Sequence, residues 1–288
     1  MNRISLVISD VDGTLVTTDK VLTERSRDAV SRLDAARIGF SLVSSRPPFG
    51  LRMLVEPLGL RLPMGAFNGG ALVAPDLTVL EQRLLPPDAA REAIAVLRSF
   101  GVDIWVFAGD RWMADNPGSA YVEREVRTIR LRPVIVERLE GQLDAVGKIV
   151  GVSDDFEHLN ACEAAARRAL GDRASIARSQ LYYLDVTPAG TDKGVAVVDL
   201  ARRLGIPAAG IATIGDGERR RDVPKERFQC RHGECQSGGE TACQCRDPLE
   251  RSRWLRGSGR TPGSAARTRH LARARRSDAV TSAKSDVG

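Results

Sequence analysis

The chain opens with short apolar runs that alternate with amphipathic ones. Ile4–Ile8 (Ile-Ser-Leu-Val-Ile) predicts a buried strand, stopped by the acidic, glycine-containing turn Asp10–Thr14. Thr23 followed by Glu24–Ala36 predicts a capped helix with Val30 and Leu33 on one face. Phe40–Val43 predicts a second strand, and residues 47–57 a helix entered through Pro47. Gly65–Asn68 closes a further strand. Ala71–Val73 and Thr78–Leu80 form a hairpin pattern around Pro75-Asp76. Strands alternating with helices imply an α/β fold with a doubly wound, Rossmann-like parallel sheet.

The pattern changes from about residue 83. It predicts a helix over Ala89–Phe100, a strand over Val102–Phe107 and a helix over Tyr121–Thr128. A strand over Ala145–Val150 and a helix over Phe156–Leu170 follow, then a strand pair at Ala174–Ala177 and Leu181–Val186. This reads as an α+β unit inserted into the first domain. The earlier pattern resumes with a helix at 193–204 and a strand at 211–214. The expected organisation is a discontinuous core, 1–82 and 186–218, an inserted cap, 83–185, and an irregular tail, 219–288. No internal repeat is visible. Gly257–Gly263 and Ala265–Arg276 are low-complexity text for which disorder is the default expectation.

Charge sharpens that division. The 288 residues carry a net +6, but residues 219–288 hold 15 Arg and 2 Lys against 8 acids, so residues 1–218 are mildly acidic. The basic balance therefore does not mark the protein as a nucleic-acid binder. The tail also lacks interleaved aromatics, having only Phe228 and Trp254, and no specific nucleic-acid partner is expected. Cys230, Cys235, Cys243 and Cys245 lie there with His232, without the paired C-x2-C knuckles of a zinc site. No apolar run of membrane-spanning length and no cleavable leader pattern occurs, so a cytoplasmic protein without a membrane partner is expected.

Asp10-Val11-Asp12-Gly13-Thr14 directly follows the first strand. On extended backbone, residues i and i+2 point the same way, roughly 6–7 Å apart. Two carboxylates at the C-terminal edge of a parallel sheet sit where such sheets bind ligands, and they suit a divalent cation with nucleophile and proton-transfer chemistry. Taken alone, Asp-x-Asp is also an ordinary solvated turn. The second strand ends at Ser44-Ser45-Arg46, where Ser44 could equally cap a helix. Lys193 stands at a helix start, where a cation is unfavourable unless it serves an anion or an acid. Ile211–Ile214 runs into Gly215-Asp216-Gly217-Glu218, another acid at a strand end.

With these segments in order, residues 4–218 resemble the haloacid-dehalogenase superfamily of phosphohydrolases, specifically its Cof-type branch with a large inserted cap. The resemblance implies a Mg²⁺-dependent phosphatase for a small phosphorylated metabolite, possibilities including a sugar phosphate. Asp10 would be the nucleophile that forms an aspartyl-phosphate, and Asp12 the acid and then the base. Ser44 and Lys193 would hold the phosphoryl oxygens. Asp10, the Asp12 backbone and Asp216 would hold Mg²⁺. Asn68-Gly69 matches the branch's Asn-Gly segment near the substrate, and Arg46 would assist substrate binding. Trp112, Asp115 and Tyr183 are candidates for cap specificity, each with a packing or surface alternative. A phosphomutase and a catalytically impaired phosphate-ligand-binding protein are the alternatives.

The chain departs from the family after Gly215–Glu218. Where the family continues Asn-Asp, this chain has Arg219-Arg220-Arg221, with Asp222 out of register. A shift of reading frame after Gly217 or Glu218 accounts for the break. Glu218–Val223, with the first base of the next codon, can be encoded so that the neighbouring frame reads Asn-Asp-Val-Glu-Met-Phe. Sequencing the gene tests this: a neighbouring frame without that text sinks the idea. The loss implies weakened Mg²⁺ binding and a 211–214 strand with an unpaired edge.

Overall fold

A computed structural model describes residues 3–215 and the backbone of Gln229–Cys230. The first elements are β1 (Leu6–Asp10), α1 (Glu24–Ala35), β2 (Gly39–Val43), α2 (Arg52–Val55), β3 (Met64–Ala66), β4 (Ala71–Val73) and β5 (Val79–Gln82). Next come α3 (Pro87–Ser99), β6 (Asp103–Ala108), β7 (Arg111–Ala114), α4 (Val122–Ile129), β8 (Val134–Ile135), β9 (Val146–Val152), α5 (Phe156–Leu170), β10 (Ala174–Gln180) and β11 (Tyr183–Pro188). The chain then forms α6 (Lys193–Arg203), β12 (Ile211–Ile214) and β13 (Gln229–Cys230).

The strands make two sheets. The first runs β13-β12-β1-β2-β3-β4-β5. It is parallel from β13 to β3 and closes with the antiparallel β3–β4–β5 hairpins. Every residue of β1 is buried, as expected of a strand flanked on both sides and covered on both faces. The second sheet, β10-β11-β9-β6-β7-β8, is antiparallel except at β7–β8. The α/β class is as the sequence pattern predicts. Two strands of the second sheet, β7 and β8, were not legible in it.

Period-2 alternation sets what the second sheet touches. Ile104 and Val106 of β6 join the apolar layer under α3 and α5, while Trp105 and Phe107 point the other way. They join the apolar cluster that includes Leu42, Met64 and Phe67 of the first sheet and its loops. A Cβ at Gly147 would lie 2.7 Å from the Phe67 ring, so this approach requires glycine. On the other flank, α6 packs through Ala196, Val197 and Leu200 against Leu6, Ile8 and Val43.

One sequence expectation needs correction. The outer edge of β12 is not bare, because Thr213 and Ile214 pair in parallel with Gln229 and Cys230. The remaining expectations for the tail, and those for Asp216, fall outside the described residues.

Candidate active site

The C-terminal ends of β1, β2 and β3 meet the N-terminus of α6, and they carry most of the residues singled out by sequence. Asp10 ends β1 and is 8% exposed. Its Oδ1 accepts from the Val11 amide at 2.7 Å and its Oδ2 from Lys193 Nζ at 2.7 Å. Lys193 is the first residue of α6, capped by Asp192, whose carboxylate accepts from the Val195 amide. The ion pair with Asp10 offsets the unfavourable placement of a cation at that helix end. Just past the Asp10–Thr14 turn, the Val11 carbonyl receives the Leu15 and Val16 amides, which fold the loop back over the sheet edge. Gly215 closes in from β12: a Cβ there would lie 3.5 Å from that of Asp10. The Gly-Asp-Gly segment therefore starts beside Asp10.

Asp12 is held from two sides. Arg46 forks onto it, Nε to Oδ2 at 3.0 Å and Nη2 to Oδ1 at 2.8 Å, and Lys20 Nζ adds a contact of 2.9 Å. Burial alone would push the Asp12 carboxyl up. The two cations more than offset it and hold the carboxyl below the usual carboxylate range.

Arg46 is 3% exposed and its Nη1 also donates to the carbonyls of Gly50 and Thr128. Its donors thus tie the Ser44–Arg46 loop to Asp12 and to α4 of the second sheet's unit. It is not on the surface: it lines the cleft beside Asp12 with its donors engaged by that carboxylate and by the two carbonyls. Ser44 is fully buried, and its hydroxyl accepts from the Arg46 amide at 3.1 Å.

Asn68 and Gly69 lie on the loop after β3. Asn68 adopts φ +55° and donates to Asp185 Oδ2 at 3.2 Å. Gly69 has φ +91°, and a Cβ on it would lie 2.5 Å from the Asp192 carbonyl. Gly69 thus permits the close approach that seats the start of α6. Of the cap candidates, Tyr183 alone lines the cleft beside Asp12. Trp112 is buried against Trp105 and Phe107, and Asp115 pairs with Arg98 at 2.9 Å.

The structure adds residues that the sequence reading missed. Lys148 of β9, 4% exposed, donates to the Ser45 carbonyl at 3.0 Å and lies 3.5 Å from the fully buried Asp185. Glu125 of α4 accepts from the Tyr183 hydroxyl at 3.3 Å, and burial pushes its carboxyl above the usual range. Arg124 and Tyr182 complete that wall. A lone lysine inside the apolar run Val146–Val152 was the visible signal for Lys148. The others lie on elements whose buried side is set only by tertiary packing.

A carboxylate beside an ammonium, a second carboxylate and a buried hydroxyl are the kinds of group that phosphoryl transfer uses. Comparisons with known proteins give the family. The profile of the family described as haloacid dehalogenase-like hydrolase matches residues 7–222. An HMP-PP phosphatase of Cronobacter sakazakii is 28% identical over 217 residues, covering 74% of this chain and 78% of that protein. An HMP-PP phosphatase of Escherichia coli K12 is 25% identical over 218 residues, covering 76% and 79%. A haloacid dehalogenase-like hydrolase from Bacteroides thetaiotaomicron superposes with a TM-score of 0.68 at 23% identity, covering 75% and 83%. A sugar phosphatase of HAD subclass IIB superposes at 0.63 with 17% identity, covering 74% and 81%. At these identities the structural likenesses speak for the fold.

Proposed function

Because the chain belongs to the haloacid dehalogenase-like hydrolases, we propose that it is a phosphatase acting on a small phosphate monoester through an aspartyl-phosphate. The observation that carries the proposal is the 2.7 Å contact between Asp10 and Lys193 at the ends of β1 and α6. It brings together two segments that are far apart in sequence.

Asp10 attacks phosphorus, and the bond to the leaving oxygen breaks as Asp12 supplies its proton. Water then attacks the aspartyl-phosphate, with Asp12 taking its proton, and inorganic phosphate leaves. Lys193 and Ser44 offset charge on the phosphoryl oxygens. Asp12 starts as the ionised partner of Arg46 and Lys20, so it first takes up a proton from solvent as that grip loosens, and passes this proton to the leaving oxygen. An arriving phosphate dianion competes for both cations. Asn68, Gly69 and Arg46 are assigned a supporting part, since their contacts fix the loops around the phosphoryl site.

The site is assigned Mg²⁺. Hard oxygen donors suit that ion, and Gly215, against Asp10, leads directly into Asp216. Asp10, the Asp12 backbone and Asp216 would hold it, and it would screen the phosphate dianion from two carboxylates. The unit from about 83 to 185 is assigned the role of a cap that selects the leaving group. The relatives named HMP-PP phosphatase and the sugar phosphatase fold support a small phosphorylated substrate.

A second reading, a phosphate-binding protein with impaired turnover, is favoured by Arg219-Arg220-Arg221 standing where the family has its next acid. The test is phosphate release from an aryl phosphate with and without Mg²⁺. Mg²⁺-dependent release lost in Asp10→Asn supports the phosphatase. Phosphate binding that depends on Lys193 without release supports the second reading.

A further inference from the structure

The cleft beside Asp12 is lined by Lys20, Arg124, Glu125, Lys148, Gln180 and Tyr182, among others. In the reaction proposed above, Asp12 protonates the leaving oxygen. Side chains that share its cleft therefore face the leaving group rather than the transferred phosphoryl.

The charges in this cleft are nearly all accounted for. Lys20 and Arg46 are paired with Asp12. Lys148 lies against Asp185 and the Ser45 carbonyl. Glu125 is bound by the Tyr183 hydroxyl, and burial favours its neutral form.

Arg124 differs from these. Among the described residues no carboxylate pairs with it. Its Nη2 reaches only the Thr18 carbonyl, at 3.4 Å. Its guanidinium lies over the Tyr182 ring, 5.3 Å from the centroid, and its buried Nε has no hydrogen-bond partner. Tyr182 is itself stacked on Tyr121 at 4.1 Å and 5°, so the platform under the guanidinium is fixed. A guanidinium presents its donors as a rigid fork that matches carboxylate and phosphate geometry. Held on an aromatic face in the cleft, with no carboxylate among the described residues to neutralise it, it is preorganised for an anion.

We propose that Arg124 is a specificity residue that binds a second anionic group on the leaving-group side of the substrate. The substrate class is then a phosphate ester or anhydride whose leaving group carries its own phosphate or carboxylate. This rests on the phosphatase reading and refines it.

The test uses the full chain in Mg²⁺-containing buffer and titration calorimetry with three probes: inorganic phosphate, methylenediphosphonate and phosphonoacetate. In the unaltered chain at least one two-anion probe binds tenfold or more tighter than inorganic phosphate. In Arg124→Gln the ratio of the two affinities falls by about tenfold, the scale of a lost charge-assisted pair. In Arg124→Lys it falls less, because the charge over Tyr182 is kept. The probe whose advantage disappears identifies the second group as phosphate or carboxylate. An affinity ratio that is near one in the unaltered chain, or that Arg124→Gln leaves as it was, overturns the assignment of Arg124 alone. Failure of the unaltered chain to bind inorganic phosphate overturns the phosphatase reading and this refinement with it. Thermal melting of each variant checks its fold; if Arg124→Gln has lost it, the Arg124→Lys ratio decides, and if Arg124→Lys has lost it, the Arg124→Gln ratio does.

Discussion

Replacing Gly69 by alanine places a methyl group 2.5 Å from the Asp192 carbonyl and 3.0 Å from the Ala196 side chain, at φ +91°. The obstacle is backbone at the capped start of α6, so no side-chain rotation relieves it. Positive φ costs an alanine about 1 kcal/mol or more, and overpacking a tight contact adds about 2 kcal/mol. The sum of about 3 kcal/mol corresponds to a fall in Tm of about 6–12 °C in a fold of this size. Gly59→Ala is the matched control, because Gly59 has φ +57° and open space around it. Differential scanning calorimetry of both separates strain from clash, with Gly69→Ala melting about 4–8 °C below Gly59→Ala. Shifting α6 also moves Lys193 away from Asp10, so phosphate affinity falls along with Tm. Equal melting of the two variants would refute the packing role of Gly69 and return it to direct contact with substrate.

Other outcomes follow from the same contacts. The Asp12 carboxyl is held below its ordinary value, so it contributes stability that is present above the unfolded pKa of about 3.9 and lost as pH falls through the folded value. Arg46→Met removes that contribution, and circular dichroism against pH should show acid unfolding at a higher pH, with lower stability at neutrality. Lys148→Met leaves Asp185 buried without its cation and should lose about 3 kcal/mol in urea unfolding; a loss under about 1 kcal/mol contradicts the pairing. Burial pushes the Cys162 thiol up to about 11, so site-resolved mass spectrometry should find it unmodified by iodoacetamide at pH 8 in the native protein and modified in urea. Rapid native modification of Cys162 contradicts its packing inside α5.

The core of the fold was legible because its strands are short apolar runs closed by turn residues; α5 and β12 lie where the pattern puts them, and β1 runs two residues later, taking Asp10 into the strand. The strands β7 and β8 were not, because Arg111–Ala114 and Val134–Ile135 are too short to show a period. Asp10, Asp12 and Lys193 were legible because their residue types are costly at those positions without a chemical use. Arg46 was found, but not its task, which depends on a carbonyl of α4 far along the chain. Gly69 was read as a neighbour of substrate, and only the approach of α6 reveals what the missing side chain makes room for. Arg124, Glu125 and Lys148 become site residues only when the second sheet lies against the first. The family match ends at residue 222, just past Glu218, where charge and cysteine content change, and a frame shift is the proposal that covers both facts.

The most direct measurement is to incubate the protein with an aryl phosphate and Mg²⁺, quench in acid and map phosphorylated peptides by mass spectrometry. An acyl-phosphate on Asp10, absent from Asp10→Asn together with turnover, is the expected result. Turnover that persists in Asp10→Asn, or a phosphoryl group found on another residue, would contradict the assignment of Asp10 as the nucleophile.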